Sequence, residues 1–208
     1  MEILATVLLF IAAFGLGGIP FSLLIGRWFL KKDIRNYADG NPGAANVFRA
    51  GGHKTGFLAI ALDVAKGVPF VVLAWALFDL SPMAVLVVGM AAILGHAFSP
   101  FLRWHGGKAV AVTFGVLLAL PVYDVLLSFI AFMLIGALFI EEDSWTPVLG
   151  AAGSAAFLAL TGNPAWELLL MLLVLALFAV KQFDGLRCLP GYHGRLLRWV
   201  QSITVRKE

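Results

Sequence analysis

Charge is what this sequence has least of. Of its 208 residues only 13% are Asp, Glu, Lys or Arg, against 61% apolar, and the mean hydropathy is +0.94. A soluble domain carries about a quarter charged residues, so a water-facing globule is excluded. Cysteine is nearly absent: Cys188 stands alone, which rules out an internal disulfide. Strict polar–apolar alternation is missing too. Runs such as 168–180 are continuously apolar, which excludes a membrane β-barrel and leaves helices. The first apolar stretch has no basic segment before it and no early small-residue cleavage site, so it reads as a membrane span and not as a signal peptide. The Gly-Gly pairs at 17–18, 51–52 and 106–107 have unlike surroundings and define no repeat. His53, His96, His105 and His193 fall in no ligand spacing, so neither a metal nor a cofactor is expected.

What remains is an all-α integral membrane protein. Apolar runs between polar breaks predict a bundle of about seven transmembrane helices, near 3–29, 55–78, 83–102, 109–121, 123–140, 147–161 and 165–181. The fourth and sixth are short for a bilayer of about 30 Å. They fill residues 1–208 as a single transmembrane domain, with 182–208 as a basic cytoplasmic tail. Within that tail, 191–207 pattern as a short amphipathic helix suited to an anionic leaflet. Connections 79–82, 121–124 and 161–167 hold no Lys or Arg, whereas Lys31, Lys32, Arg35, Arg49 and Lys54 crowd one loop and Arg103 and Lys108 the next on that face. The positive-inside rule then sets the N-terminus outside and the C-terminus and both basic loops in the cytoplasm. Glu141-Glu142-Asp143 lies on the same face, but acidic residues weigh little in that rule. Trp28, Trp104, Trp145, Trp166 and Trp199 near span ends read as interfacial anchors.

Two polar loops stand out. The first runs Asp39-Gly40-Asn41-Pro42-Gly43-Ala44-Ala45-Asn46-Val47-Phe48-Arg49, the second Arg103-Trp104-His105-Gly106-Gly107-Lys108. Glycine lets backbone N–H groups crowd an anion, Arg49 can grip a phosphate with two parallel bonds, and Lys108 supplies a point charge. Asn41 and Asn46 add amide donors, and Gly40 and Gly43 shape the turn around Pro42. Both loops lead into apolar helices, whose N-termini favour anions. The pattern suggests a phosphate site at the lipid–water boundary; a capped loop with snorkelling basic anchors is the plainer alternative. Asp63 and Lys66, three residues apart inside the second span, share a helix face and suit either a structural ion pair or a substrate contact. His96 and Thr113 sit near span ends on the same side.

The runs Gly18-Ile19-Pro20-Phe21, Asp33-Ile34-Arg35, Gly40-Asn41-Pro42-Gly43-Ala44 with Asn46-Val47-Phe48-Arg49, Leu62-Asp63-Val64-Ala65-Lys66-Gly67 and Gly95-His96-Ala97-Phe98 leading to Gly106-Gly107-Lys108 resemble the bacterial acyl-phosphate:glycerol-3-phosphate acyltransferases (PlsY). The similarity is ordered from about residue 17 to 120. It implies a seven-span enzyme of phospholipid synthesis in the bacterial plasma membrane. Such an enzyme moves an acyl group from acyl phosphate to glycerol 3-phosphate, with membrane lipids around it and no nucleic-acid or protein partner. The resemblance also implies that Arg49 and Lys108 hold phosphate groups, that the amides around Gly106 and Gly107 cradle the acyl phosphate, and that no covalent enzyme intermediate forms. Together these readings make Asp39, Arg49, Lys108 and His96 the candidate catalytic residues. Gly40, Asn41, Gly43, Asn46, Asp63, Lys66, Gly106, Gly107 and Thr113 are the candidate substrate contacts. The chain departs from the family pattern at Asp39 (Ser in the family), Ala45 (Thr) and Ala109 (Gly), and Gln182-Phe183-Asp184-Gly185 stands where a His- and Asn-bearing motif is expected. Those departures also fit a non-catalytic relative that binds an anionic lipid or phosphate. A small organic-anion transporter is a third reading, weakened by polar groups gathered on one face.

Overall fold

Proline decides where the first apolar run stops being one helix. In the computed structural model, which describes residues 1–188, the run splits into α1 (Glu2–Gly18) and α2 (Phe21–Phe29) at Ile19-Pro20. Proline supplies no N–H and breaks the ladder of hydrogen bonds. A second proline acts likewise in the next run. There α4 (His53–Ala65) gives way at Lys66–Val68 to α5 (Pro69–Val72), which continues as a wider π-turn over Leu73–Leu77. Between the two runs lies a short α3 (Ala44–Arg49). Then come α6 (Pro82–Ala97), a 3-10 turn at Pro100–Leu102 and α7 (Val110–Ala119). After these follow α8 (Tyr123–Phe139), α9 (Trp145–Thr161), α10 (Ala165–Lys181) and the short α11 (Phe183–Leu186). Among the described residues there is no strand. The stretches expected at 3–29 and 55–78 are therefore interrupted helices, while the other apolar runs match one helix each. The amphipathic tail expected over 191–207 lies outside the described residues.

Glu2–Phe29, His53–Leu77 and Pro82–Leu102 are long and apolar enough to cross a membrane, with mean hydropathies of 2.3, 2.0 and 1.9. Val110–Ala119, Tyr123–Phe139 and Trp145–Thr161 are shorter apolar helices. The chain divides into two compact units, Met1–Pro121 and the part beginning at Val122.

In the first unit α1 lies along α6, and small residues let the two backbones meet. A Cβ on Gly17 would strike the Ala92 carbonyl, and one on Gly95 would strike that of Phe14. Gly67 and Gly115 do the same for α4 against α7. Close approach through small residues is how helices associate in lipid, where there is no hydrophobic gain from pairing. The basic loop is held by a small apolar core: Leu23, Ile25, Ile34, Val47, Ala50 and Ala59 are buried together. Asp33 caps the turn at Ile34–Asn36 through the Arg35 amide and pairs with Arg27 and Arg35 at 3.1 and 2.6 Å. Lys32 donates to the Ala50 carbonyl at the end of α3 at 2.8 Å. Together these anchors fix the stretch from Asp33 to Ala50 against α2 and α4.

The second unit is an antiparallel run of α8, α9 and α10. Phe129 and Phe178 are buried and pack with ring centroids 6.3 Å apart. The Ser128 and Ser154 hydroxyls pair at 2.7 Å inside it, and Ser128 also donates to the Val125 carbonyl. A buried hydroxyl without such a partner is costly, most of all in lipid.

Gly15 provides an internal control for the α1–α6 contact, because a Cβ there meets nothing within 4 Å. Gly17→Ala and Gly95→Ala should each destabilise the protein by about 1–3 kcal/mol through forced separation of the backbones, while Gly15→Ala leaves it unchanged or slightly stabilised. Thermal unfolding in detergent measures this; equal behaviour of all three variants would remove the close contact from the account.

Candidate functional site

The two polar loops meet. Asp39 sits in the turn before α3, and its carboxylate Oδ2 lies 2.9 Å from the Lys108 ammonium of the glycine loop. The other carboxylate oxygen accepts from the Asn41 amide at 3.2 Å and from the Asn46 side chain at 3.1 Å. Asn46 is buried, and its Nδ2 also donates to the Tyr37 and Asn41 carbonyls at 2.9 Å each. Its Oδ1 accepts from the Arg49 guanidinium at 2.9 Å. One connected network thus runs Lys108–Asp39–Asn46–Arg49, carrying two cations and one anion. Burial pushes the Asp39 carboxyl upward, but the Lys108 ammonium and the hydrogen bonds from Asn41 and Asn46 outweigh it and hold it below the ordinary carboxylate range. A lowered folded-state value means that this contribution is present above the unfolded pKa and is lost as pH falls through the folded one. The pair therefore persists at neutral pH and loosens only in acid. With Asp39 and Lys108 40% and 29% exposed, an ion pair of this kind contributes about 0–1 kcal/mol to stability. A competing anion can open it.

Beneath this network lies a second cluster, buried where the interrupted helices cross. Asp63 forms a 2.8 Å ion pair with Lys66, and both side chains are almost wholly buried. The Ser22 hydroxyl donates to Asp63 Oδ2 at 2.5 Å. Lys66 donates to the Ile19 carbonyl at 2.8 Å, and the Ser99 hydroxyl donates to the Gly18 carbonyl at 2.5 Å. Both carbonyls belong to the α1–α2 break, where the helix ladder no longer uses them fully. Irregular backbone inside a membrane protein is tolerated where protein buries it or it lines a cavity. Both conditions hold, since Gly18, Ile19 and Pro20 line a small cleft together with Pro42, Asp63, Lys66, His96, Ser99 and Gly107. The cleft reaches the first loop at Pro42 and the second at Gly107, with the ion pair at its floor.

His96 braces the glycine loop from below. Its carbonyl accepts the Gly107 N–H at 3.0 Å, and its ring Nδ1 stands 3.9 Å from Asp63 Oδ1. A Cβ on Gly106 would strike the His96 carbonyl, and one on Gly107 would strike the His96 ring nitrogen Nε2. Gly106 is therefore needed for the loop to sit on His96, and a side chain at Gly107 would displace the His96 ring. The Gly107 amide is engaged inside the protein, which narrows the expected cradle of loop amides. Ala109, where the resemblance expects glycine, is buried with φ +62, and Arg103 and Trp104 also have positive φ. Left-handed backbone costs a side-chain-bearing residue about 1–2 kcal/mol.

Of the candidate residues, Asp39, Asn41, Asn46, Arg49 and Lys108 share the outer network, while Asp63, Lys66, His96 and Gly107 line the cleft. Gly40, at φ +71, and Gly43, which precedes α3, shape the first turn. Thr113 stands apart: it is buried and donates back to the Ala109 carbonyl at 2.8 Å, which occupies its hydroxyl within its own helix. Ser22 and Ser99 went unread in the sequence. The signal for them was Pro20, because a proline inside an apolar run frees carbonyls that nearby hydroxyls and amines must satisfy.

The chain has clear relatives. Residues 7–185 match the pattern of the glycerol-3-phosphate acyltransferase family. The chain is 38% identical over 148 residues to a glycerol-3-phosphate acyltransferase of Lactococcus lactis subsp. lactis, covering 71% of this chain and 68% of that protein. It is 37% identical over 174 residues to one from Trichlorobacter lovleyi, covering 84% and 88%. Crystal structures of PlsY, an integral membrane glycerol 3-phosphate acyltransferase, in its glycerol 3-phosphate and lysophosphatidic acid forms superpose with a TM-score of 0.75 at 30% identity, over 88% of this chain and 90% of PlsY. The chain belongs to the glycerol-3-phosphate acyltransferase family and is a membrane acyltransferase.

The buried pair makes a sharp stability prediction. Lys66→Met leaves the Asp63 carboxylate without its cation and should cost about 3–5 kcal/mol, whereas Lys66→Met with Asp63→Leu should recover a large part of that loss. Unfolding midpoints of the single and double variants in detergent test it; a double variant no better than the single would show that the pair is not the unit of stability.

Proposed function

We propose that this acyltransferase moves a fatty acyl group from acyl phosphate to the first hydroxyl of glycerol 3-phosphate, giving lysophosphatidate for phospholipid synthesis. The observation that carries the reading is the single network that joins Lys108 of one loop to Arg49 of the other through Asp39 and Asn46. Two phosphate-bearing substrates must be brought within reach of each other, and two cations on adjoining loops suit that task. Lys108 and Arg49 hold the phosphate groups, and Asn41 and the turn around Gly40 and Gly43 fix the acceptor side.

The chemistry asks little of the protein beyond placement. Acyl phosphate is a mixed anhydride. The acceptor oxygen attacks its carbonyl carbon, a new ester C–O bond forms, and the bond to the phosphate oxygen breaks. The phosphate leaves with the electron pair and takes up the hydroxyl proton. Holding both substrates in line and neutralising the charge on the leaving phosphate supply most of the acceleration. No covalent enzyme intermediate is needed. His96 acts as a positioning residue that carries the glycine loop, and Asp63 with Lys66 fixes the floor of the cleft.

We further propose a single transmembrane domain of about seven spans, the interrupted helices included. Its N-terminus is outside, and the two loops face the cytoplasm in a bacterial plasma membrane. The support is the charge asymmetry of the connections. The acyl chain of the donor would then lie among the helices while its phosphate meets the loops at the inner surface.

Arg49→Ala and Lys108→Ala should each weaken binding of a non-reactive acyl-phosphate analogue by about 10- to 150-fold, the loss of one charge-assisted hydrogen bond, in protein that still inserts and folds. Calorimetric titration checks this, and wild-type affinity in both variants would reduce them to anchors. For the topology, a cysteine placed at Ser81 or Asn163 should react with an impermeant thiol reagent on intact cells, and one at Asn36 or His105 should not. Labelling at Asn36 in sealed cells would reverse the orientation.

A further inference from the structure

Four basic residues and one acid crowd the nine positions from Arg27 to Arg35, where the first apolar run ends. None of them joins the network of Lys108 and Arg49 or lines the cleft. Within this segment Asp33 holds two arginines at once. Arg35 grips its carboxylate with Nε on Oδ1 at 2.9 Å and a terminal nitrogen on Oδ2 at 2.6 Å. Arg27, from the last turn of α2, places a terminal nitrogen on the same Oδ2 at 3.1 Å. The Arg35 guanidinium holds the carboxyl well below the usual carboxylate range, so Asp33 stays ionised at neutral pH. One carboxylate does not neutralise two cations, and the cluster keeps a net positive charge. Nor does it use all their donors. A guanidinium carries five N–H groups, of which Arg27 gives one to Asp33 and Arg35 gives two. The two side chains are 50% and 44% exposed, so their remaining donors are open to a ligand.

The neighbouring residues select the class of ligand. Glu2–Phe29 is apolar enough to cross a membrane, and its last two residues, Trp28 and Phe29, are both exposed. Tryptophan at the end of a span sits at headgroup level. The arginines are thus held at the depth where lipid phosphates lie. A guanidinium fork matches the two unesterified oxygens of a phosphodiester. Two forks already fixed on one carboxylate lose little further freedom on binding. We propose that Arg27 and Arg35, aligned by Asp33, form a headgroup site for an anionic phospholipid. The lipid phosphate takes the spare donors, and its chains lie beside Trp28 and Phe29. A zwitterionic headgroup brings its own ammonium against the arginines, so the site prefers lipids without one. Asp33 also caps the turn at Ile34–Asn36, so a lipid held here adds a contact to the anchors of the first loop.

The test reads which lipid lies next to Trp28. The full chain is reconstituted in phosphatidylcholine vesicles that contain a rising fraction of brominated-chain phosphatidylglycerol or brominated-chain phosphatidylcholine. Bromine quenches nearby tryptophan, and subtracting the signal of the same protein carrying Trp28→Phe isolates that residue. In wild type, phosphatidylglycerol should be favoured over phosphatidylcholine at Trp28 by roughly 10-fold or more. Arg27→Lys with Arg35→Lys keeps both charges and a cation for Asp33 but removes the forks. The preference should fall to within about threefold in that variant. Arg27→Gln with Arg35→Gln should leave the two lipids quenching alike. Inorganic phosphate added to the wild-type vesicles should not displace the lipid. A wild type with no preference at Trp28 overturns the proposal. So does a lysine variant that keeps the full preference, since the surface would then attract lipid by charge alone. Displacement by inorganic phosphate would make this a site for a soluble anion and overturn the lipid assignment.

Discussion

The ion pair between Asp39 and Lys108 holds together two loops that are separated by some of the most apolar sequence in the chain. Around it the rest of the first unit is arranged. Asn46 supports the carboxylate and presents Arg49; His96 supports the glycine loop and so presents Lys108. Each loop has its own support, an apolar core under the first and His96 under the second, and the pair joins the two. Because the pair is partly exposed, it adds little to stability. It is a latch on the site and not a pillar of the fold.

The pillar lies deeper. Prolines interrupt two long apolar helices, and at these breaks the backbone offers carbonyls that lipid cannot satisfy. At the first break Ser99 donates to the Gly18 carbonyl and Lys66 to that of Ile19, while Asp63, supported by Ser22, pairs with Lys66; Ser99, Lys66 and Asp63 line the cleft. The cost of breaking the helices is thus linked to the shape of the site. Small residues let α1 and α6 approach closely enough for Ser99 to reach Gly18, and the same closeness leaves room for no more than a small cleft between the loops. Stability and function are set by the same backbone contacts, so the glycines at 17, 95, 106 and 107 are structural conditions for the site.

Helix positions were largely legible in the sequence because a membrane chain advertises them by hydropathy alone. Breaks inside the helices were less legible. Pro20 and Pro69 mark them, but an apolar stretch with a single proline also fits a kinked continuous span, and only tertiary partners decide between the two. Asp39, Arg49 and Lys108 could be read as candidates because charged groups among glycines in an oily chain have few other uses. That Asp39 would lie on Lys108 could not be read, since nearly seventy residues separate them. A hydroxyl inside an apolar helix can turn inward to its own backbone as easily as outward to a ligand, and that of Thr113 bonds to Ala109. Ser99 was less legible because its partner is the Gly18 carbonyl at a helix break that Pro20 marks only indirectly, and Ser22 because its partner, Asp63, lies forty-one residues away.

A structure of the protein with glycerol 3-phosphate bound tests the account most directly. The account predicts the phosphate within hydrogen-bond distance of Arg49 or Lys108, where the two loops meet. A bound ligand elsewhere in the molecule, with the Asp39–Lys108 pair still closed at 2.9 Å, would contradict it.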